Sequence, residues 1–92
     1  MKVEWSPRAF SDLRAISDYI EHDTSAETAD RVTRAVFDAT QTLFTTPYRG
    51  RPGRMENTRE LIIQGLPWIA IYRVSEERVV IINIIHGARR WP

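Results

Sequence analysis

Ninety-two residues, 42% of them apolar and 27% charged, supply material for one small core, so a single domain spanning residues 1–92 is expected. No run reaches the roughly 18 apolar residues of a spanning helix, and acids with a proline stand where a signal peptide would carry its apolar region; a cytoplasmic protein is expected. The chain has no cysteine and only His22 and His86, which excludes disulfides and thiolate sites and leaves too few imidazoles for zinc, so neither metal nor cofactor is expected.

The net charge of +1 hides an asymmetry. Residues 1–45 carry five basic and eight acidic side chains, whereas residues 46–92 carry eight and four. Twelve of the thirteen cations are arginine, whose planar fork suits phosphate and carboxylate better than an ammonium does. The C-terminal half is therefore the part expected to meet an anionic partner.

Lys2-Val3-Glu4-Trp5 alternates polar and apolar residues as a short strand does. Ser6-Pro7 then offers an N-cap followed by proline at the first helical position. Phe10, Leu13, Ile16 and Ile20 recur at helical spacing to about His22, with Tyr19 flanking them and Asp12, Arg14, Asp18 and Glu21 on the other side. Thr24-Ser25-Ala26-Glu27 fits a capping box with the threonine as cap. A second helix to about Thr45 follows, with Ala29, Val32, Val36, Ala39 and Leu43 as its stripe and Phe37 and Phe44 widening it. Two amphipathic helices joined so closely predict a helical hairpin.

Residues 46–57 change character, with Pro47, Gly50, Pro52 and Gly53 set among Arg49, Arg51 and Arg54. This is loop chemistry carrying positive charge, and glycine beside arginine lets backbone and guanidinium approach a phosphate closely. Three β-rich runs follow at 58–63, 68–74 and 79–85, separated by Gln64-Gly65-Leu66-Pro67 and Ser75-Glu76-Glu77-Arg78, spacings that favour antiparallel hairpins. The last run is apolar on both faces except for Asn83, as a covered inner strand would be, and Asn83 is expected to be a satisfied buried amide. The order β-α-α-β-β-β predicts an α+β fold: a small, largely antiparallel sheet with the N-terminal helical hairpin packed on one face. Arg59, Arg73, His86, Arg89, Arg90 and Trp91 fall at strand ends or in the tail, and they are expected to share one surface beneath that tail.

The chain resembles the RelE/ParE superfamily of toxins from type II toxin–antitoxin modules. The likeness runs through Trp5-Ser6-Pro7, Ala9, Asp12-Leu13, Pro47, Gly50-Arg51, Thr58-Arg59-Glu60-Leu61, Tyr72-Arg73-Val74 and His86-Gly87-Ala88-Arg89, and so covers nearly the whole chain. The resemblance implies a growth-inhibiting toxin silenced by a small cognate antitoxin, acting either as a ParE-like poison of DNA gyrase or as a RelE-like ribosome-dependent mRNA endonuclease. A degenerate member that only binds antitoxin is a third reading.

Cleaving RNA at the 2′-hydroxyl needs a base, an acid and cations around the phosphorane. His86, Arg73 and Arg59 are the catalytic candidates, with Glu60 as another base, and Arg49, Arg51, Arg54, Arg89, Arg90 and Trp91 are candidates for holding the target. Adjacent in a strand, Arg59 and Glu60 must point to opposite faces. Many RNA-cleaving relatives have an arginine three positions before the tyrosine of the third strand, where this chain has Ile69. An apolar side chain cannot neutralise a phosphorane, which tilts the reading toward a gyrase poison and away from an enzyme.

Overall fold

The computed structural model describes residues 1–88 and Trp91. Strand β1 (Lys2–Trp5) leads into helix α1 (Pro7–Asp23) and helix α2 (Ala26–Gln41), whose end tightens into a 3₁₀ turn at Thr42–Phe44. Strands β2 (Arg51–Pro52), β3 (Arg59–Ile62), β4 (Trp68–Val74) and β5 (Arg78–His86) follow. They form one sheet in the order β1-β5-β4-β3-β2, antiparallel except where β1 runs parallel to β5.

The caps are local chemistry made visible. The Ser6 hydroxyl accepts from the Ala9 amide at 3.0 Å and donates to the Ile82 carbonyl at 2.9 Å, so one side chain starts α1 and ties it to β5. At α2 the cap is Ser25, which accepts from the Thr28 amide, and not Thr24 as the capping-box reading had it. Thr28 answers with its own hydroxyl, at 2.9 Å from that of Ser25.

The helical hairpin covers one face of the sheet. Ile16, Val36 and Leu43 pack there against Leu61, Ile63, Ala70, Tyr72, Val79, Ile81 and Ile84. The buried row of α1 begins at Ala9, and Phe10, expected in the core, is 58% exposed. Phe37 and Phe44 widen the apolar face as expected but remain exposed. Asp12, expected on the solvent side, reaches the free edge of β5, where its Oδ2 accepts from the Ile84 amide at 2.9 Å and from Asn83 Nδ2 at 3.1 Å. An amide past the end of β1 would otherwise lack a partner, so the carboxylate replaces a missing strand.

Residues 46–57, expected as loop throughout, contain β2, which pairs Arg51 with Glu60 and Pro52 with Arg59. Proline has no N–H to give a further strand, which suits an edge. Among the described residues no helix is long and apolar enough to cross a membrane.

Candidate functional site

Register decides which candidate side chains share a surface. Arg59 pairs with Tyr72, Leu61 with Ala70 and Ile62 with Ile69, and alternation along a strand sends successive side chains to opposite faces. Arg59 therefore lies on the helix side with Tyr72. Glu60, Ile62, Ile69, Ile71 and Arg73 lie on the open side, and Arg51, opposite Glu60, joins them.

The loop is held by two side chains from the sheet. The Tyr72 hydroxyl, fully buried, accepts from the Gly50 amide and donates to the Pro47 carbonyl, both at 2.8 Å. A Cβ on Gly50 would stand 2.7 Å from the Tyr72 ring and from the Glu60 carbonyl, so only glycine fits. Arg59 donates through Nε to the Gly50 carbonyl at 3.0 Å and through Nη2 to the Tyr48 carbonyl at 3.3 Å, and its guanidinium lies 5.3 Å from the centre of the Tyr48 ring.

The loop arginines have different fates. Arg49 donates to the Thr42 hydroxyl at 3.0 Å, and Arg51 pairs with Glu60 at 2.8 Å. Arg54 is exposed on the rim of an open depression of about 620 Å³ that Tyr48, Asn57 and Arg59 also line. Asn57 adopts a positive φ of 65°, which a short polar side chain tolerates in a tight turn.

The open face of the sheet is apolar where a phosphate-handling surface would need charge. Ile69, Ile71 and Ile85 form a buried cluster beneath the Trp91 ring. The Trp91 indole donates to Asn83 Oδ1 at 3.2 Å, while Asn83 Nδ2 is engaged by Asp12. Asn83 is thus the satisfied buried amide that its position in an apolar strand suggests. Trp91 is held to the sheet by packing and by one hydrogen bond.

His86 pairs with Trp68, whose ring meets the imidazole edge-on at 5.3 Å, and lies on the helix side at the far end of β5. Its Nδ1 accepts from the Ala88 amide at 3.1 Å. Arg73 stands five residues along β4 from Trp68 and on the opposite face, so at about 3.3 Å per residue it is about 17 Å from His86 along the strand. The expected single surface does not form: Arg51, Arg73 and Trp91 share the open side, whereas Arg59 and His86 are on the helix side. Arg89 and Arg90 lie outside the described residues.

One surface escaped the sequence reading. Trp5 stacks on Phe37 and meets Phe10 at a tilt, with ring centroids 6.1 and 5.6 Å away, and its buried indole nitrogen has no hydrogen-bond partner among the described residues. Phe10 and Phe37 are 58% and 44% exposed. Phe10 falls at helical spacing with Leu13, Ile16 and Ile20, so the sequence held no signal that it would stay at the surface; only its meeting with Trp5, itself stacked on Phe37, decides that.

A family model described as "ParE toxin of type II toxin-antitoxin system, parDE" matches residues 3–91. The chain belongs to this family of type II toxin–antitoxin toxins. It is 37% identical over 91 residues to Y4kP of Sinorhizobium fredii, a candidate toxin by name, covering 99% of this chain and 93% of that one. It is 36% identical over 88 residues to the toxin RelE2 of Caulobacter vibrioides, covering 96% and 97%. A solved structure from the chromosomal ParDE toxin–antitoxin system of P. aeruginosa superposes with a TM-score of 0.86 at 25% identity, covering 94% of this chain and 95% of that one. Names of both kinds, ParE and RelE, thus occur among proteins similar to this toxin.

Proposed function

We propose that this toxin arrests growth by binding its target without cutting nucleic acid, that the target is DNA gyrase, and that a small antitoxin holds it silent. The observation that carries this reading is the composition of the open sheet face, where Ile69, Ile71 and Ile85 lie under Trp91. Transesterification needs proton-transfer groups and cations within hydrogen-bond reach of one phosphate. Here the imidazole and the exposed Arg73 are on opposite faces, Arg51 is paired with Glu60, and Arg59 is partly spent on loop carbonyls. A rigid surface with aromatic anchors and arginines suits protein recognition instead.

The antitoxin reading has its own support. The P. aeruginosa relative is part of a ParDE toxin–antitoxin system, and the Trp5–Phe10–Phe37 patch on this chain is the kind of exposed aromatic cluster that marks a protein interface. Coexpression with a small acidic partner from the neighbouring reading frame should raise soluble yield.

Purified toxin added to gyrase should inhibit supercoiling or accumulate cleaved DNA complexes. Absence of both effects at large molar excess refutes the gyrase reading. Similarity to a protein named RelE2 favours a second reading, mRNA cleavage on the ribosome. Primer extension on translated mRNA after induction would then reveal codon-specific cuts that vanish in Arg73→Ala or His86→Ala.

A further inference from the structure

Arg59 poses a problem of charge. The side chain is half-buried, yet among the described residues no carboxylate lies within ion-pair distance of it. A guanidinium taken partly out of water costs free energy unless its donors and its charge are both met. Its Nε and one Nη2 hydrogen are met by the carbonyls of Gly50 and Tyr48; of the five N–H donors of an arginine, three remain. Carbonyl oxygens satisfy hydrogen bonds but leave the net charge uncompensated.

The surroundings are those of a receptor. Arg59 lies in the open depression of about 620 Å³, whose wall includes Tyr48, Arg54, Asn57 and Thr58. That volume falls within the range of small-ligand sites. Tyr48 is 64% exposed, and with the Arg59 guanidinium lying over one side of its ring, the aromatic surface left to solvent can accept a flat partner. Arg54 adds a second cation on the same wall, whereas Arg49 and Arg51 are engaged elsewhere, by Thr42 and Glu60. One carboxylate, Glu56, also lines the depression, so its charge only partly offsets the two guanidinium groups.

We propose that this depression is a nucleotide-phosphate site, in which Arg59 and Arg54 hold a phosphate while a base stacks on Tyr48. A phosphate oxygen offers the charge and the lone pairs that the three unused Arg59 donors lack, and forked guanidinium contacts make it a better fit than a point cation would. Stacking on an exposed aromatic beside arginine tolerates every base, so the site selects a nucleotide without reading sequence. The ligand is either a free nucleotide or one unit of a strand. The site is independent of the gyrase reading, because the depression and a guanidinium with no ion-pair partner among the described residues are there whichever target the toxin has.

The chemistry is tested by fluorescence anisotropy with a fluorescein-labelled single-stranded DNA of about 12 nucleotides and, in parallel, by competition with AMP and ATP. Saturable binding of the oligonucleotide should weaken about tenfold or more in Arg54→Glu and in Tyr48→Ser, with a salt slope smaller by about 1 in Arg54→Glu. Arg31→Glu, an exposed charge reversal on α2, should bind as the unaltered toxin does. Displacement by AMP or ATP assigns the site to free nucleotides, and failure of both to compete assigns it to a strand. Arg59→Gln should abolish binding, but it also loosens the loop, so Arg54→Glu and Tyr48→Ser carry the test. Absence of saturable binding overturns the proposal, as does equal weakening by Arg31→Glu. Equal affinity for a glutamate-rich peptide with the same response to the variants would make it a general acidic-partner surface and also overturns it.

Discussion

Tyr72→Phe removes one oxygen atom and should loosen the whole Arg49–Arg54 loop. The hydroxyl is fully buried, accepts from the Gly50 amide at 2.8 Å and donates to the Pro47 carbonyl at 2.8 Å. Phenylalanine fills the same volume apart from the hydroxyl, so packing changes little and the loss is polar. Gly50 is itself buried, and its orphaned amide should cost about 1–3 kcal/mol, with about 1 kcal/mol more for the part-buried Pro47 carbonyl. A total of roughly 2–4 kcal/mol is a large share of the stability of a domain this small. At about 4–8 °C per kcal/mol, the Tm should fall by at least about 8 °C. Urea denaturation should report the loss in midpoint with an unchanged slope, and amide exchange at Gly50 should accelerate while exchange at Ile71 in the same strand tracks only the global change. A destabilisation below about 0.5 kcal/mol, with Gly50 still protected, would refute the claim that the hydroxyl holds the loop.

Asp12→Ala leaves both the Ile84 amide and Asn83 Nδ2 without their acceptor and should cost about 2–3 kcal/mol by chemical denaturation; Asp12→Asn, which keeps one oxygen, should cost less than half as much. Phe10→Ser and Phe37→Ser alter exposed rings, so thermal unfolding should shift little while calorimetric affinity for the cognate antitoxin falls by about 1–3 kcal/mol. A large fall in Tm without loss of affinity would place these rings in the core instead. Gly53→Ala drives a methyl group into the Thr58 hydroxyl, so the tight 53–58 turn should open, with a loss of about 1–3 kcal/mol seen in urea. Trp91→Phe keeps the apolar cover over Ile69, Ile71 and Ile85 but gives up the bond to Asn83. It should cost about 1 kcal/mol and shift the Asn83 side-chain amide resonances.

Much of the architecture was legible because its causes are local. Ser6-Pro7 announces a helix start through the chemistry of one cap and one fixed φ. The stripe Ala29, Val32, Val36, Ala39, Leu43 faces the core because helical spacing leaves it no other side. Alternation sends Arg59 and Glu60 to opposite faces whatever their partners are. Apart from the α2 cap, which lies one place on from Thr24 at Ser25, the misassigned residues are those whose neighbours are remote. Asp12 looks like a solvent-facing acid until β5, 71 and 72 residues later, brings it an unpaired edge amide. Phe10 matches the helical stripe, but Trp5 and Phe37 hold it at the rim.

What the sequence alone determined is therefore the inventory: two capped helices, the β-rich runs, a basic arginine–glycine loop and the family to which they belong. Only the tertiary structure decided how the candidate residues are grouped, because a side chain's surface depends on strand register, and register is a relation between segments. Pairing Trp68 with His86 and Arg59 with Tyr72 sends the imidazole and one guanidinium to the helix side, while Arg51 and Arg73 stay on the open side. The same pairings bring the Tyr72 hydroxyl to Gly50 and Pro47, 22 and 25 residues away in sequence, and so hold in place a loop whose composition suggests freedom.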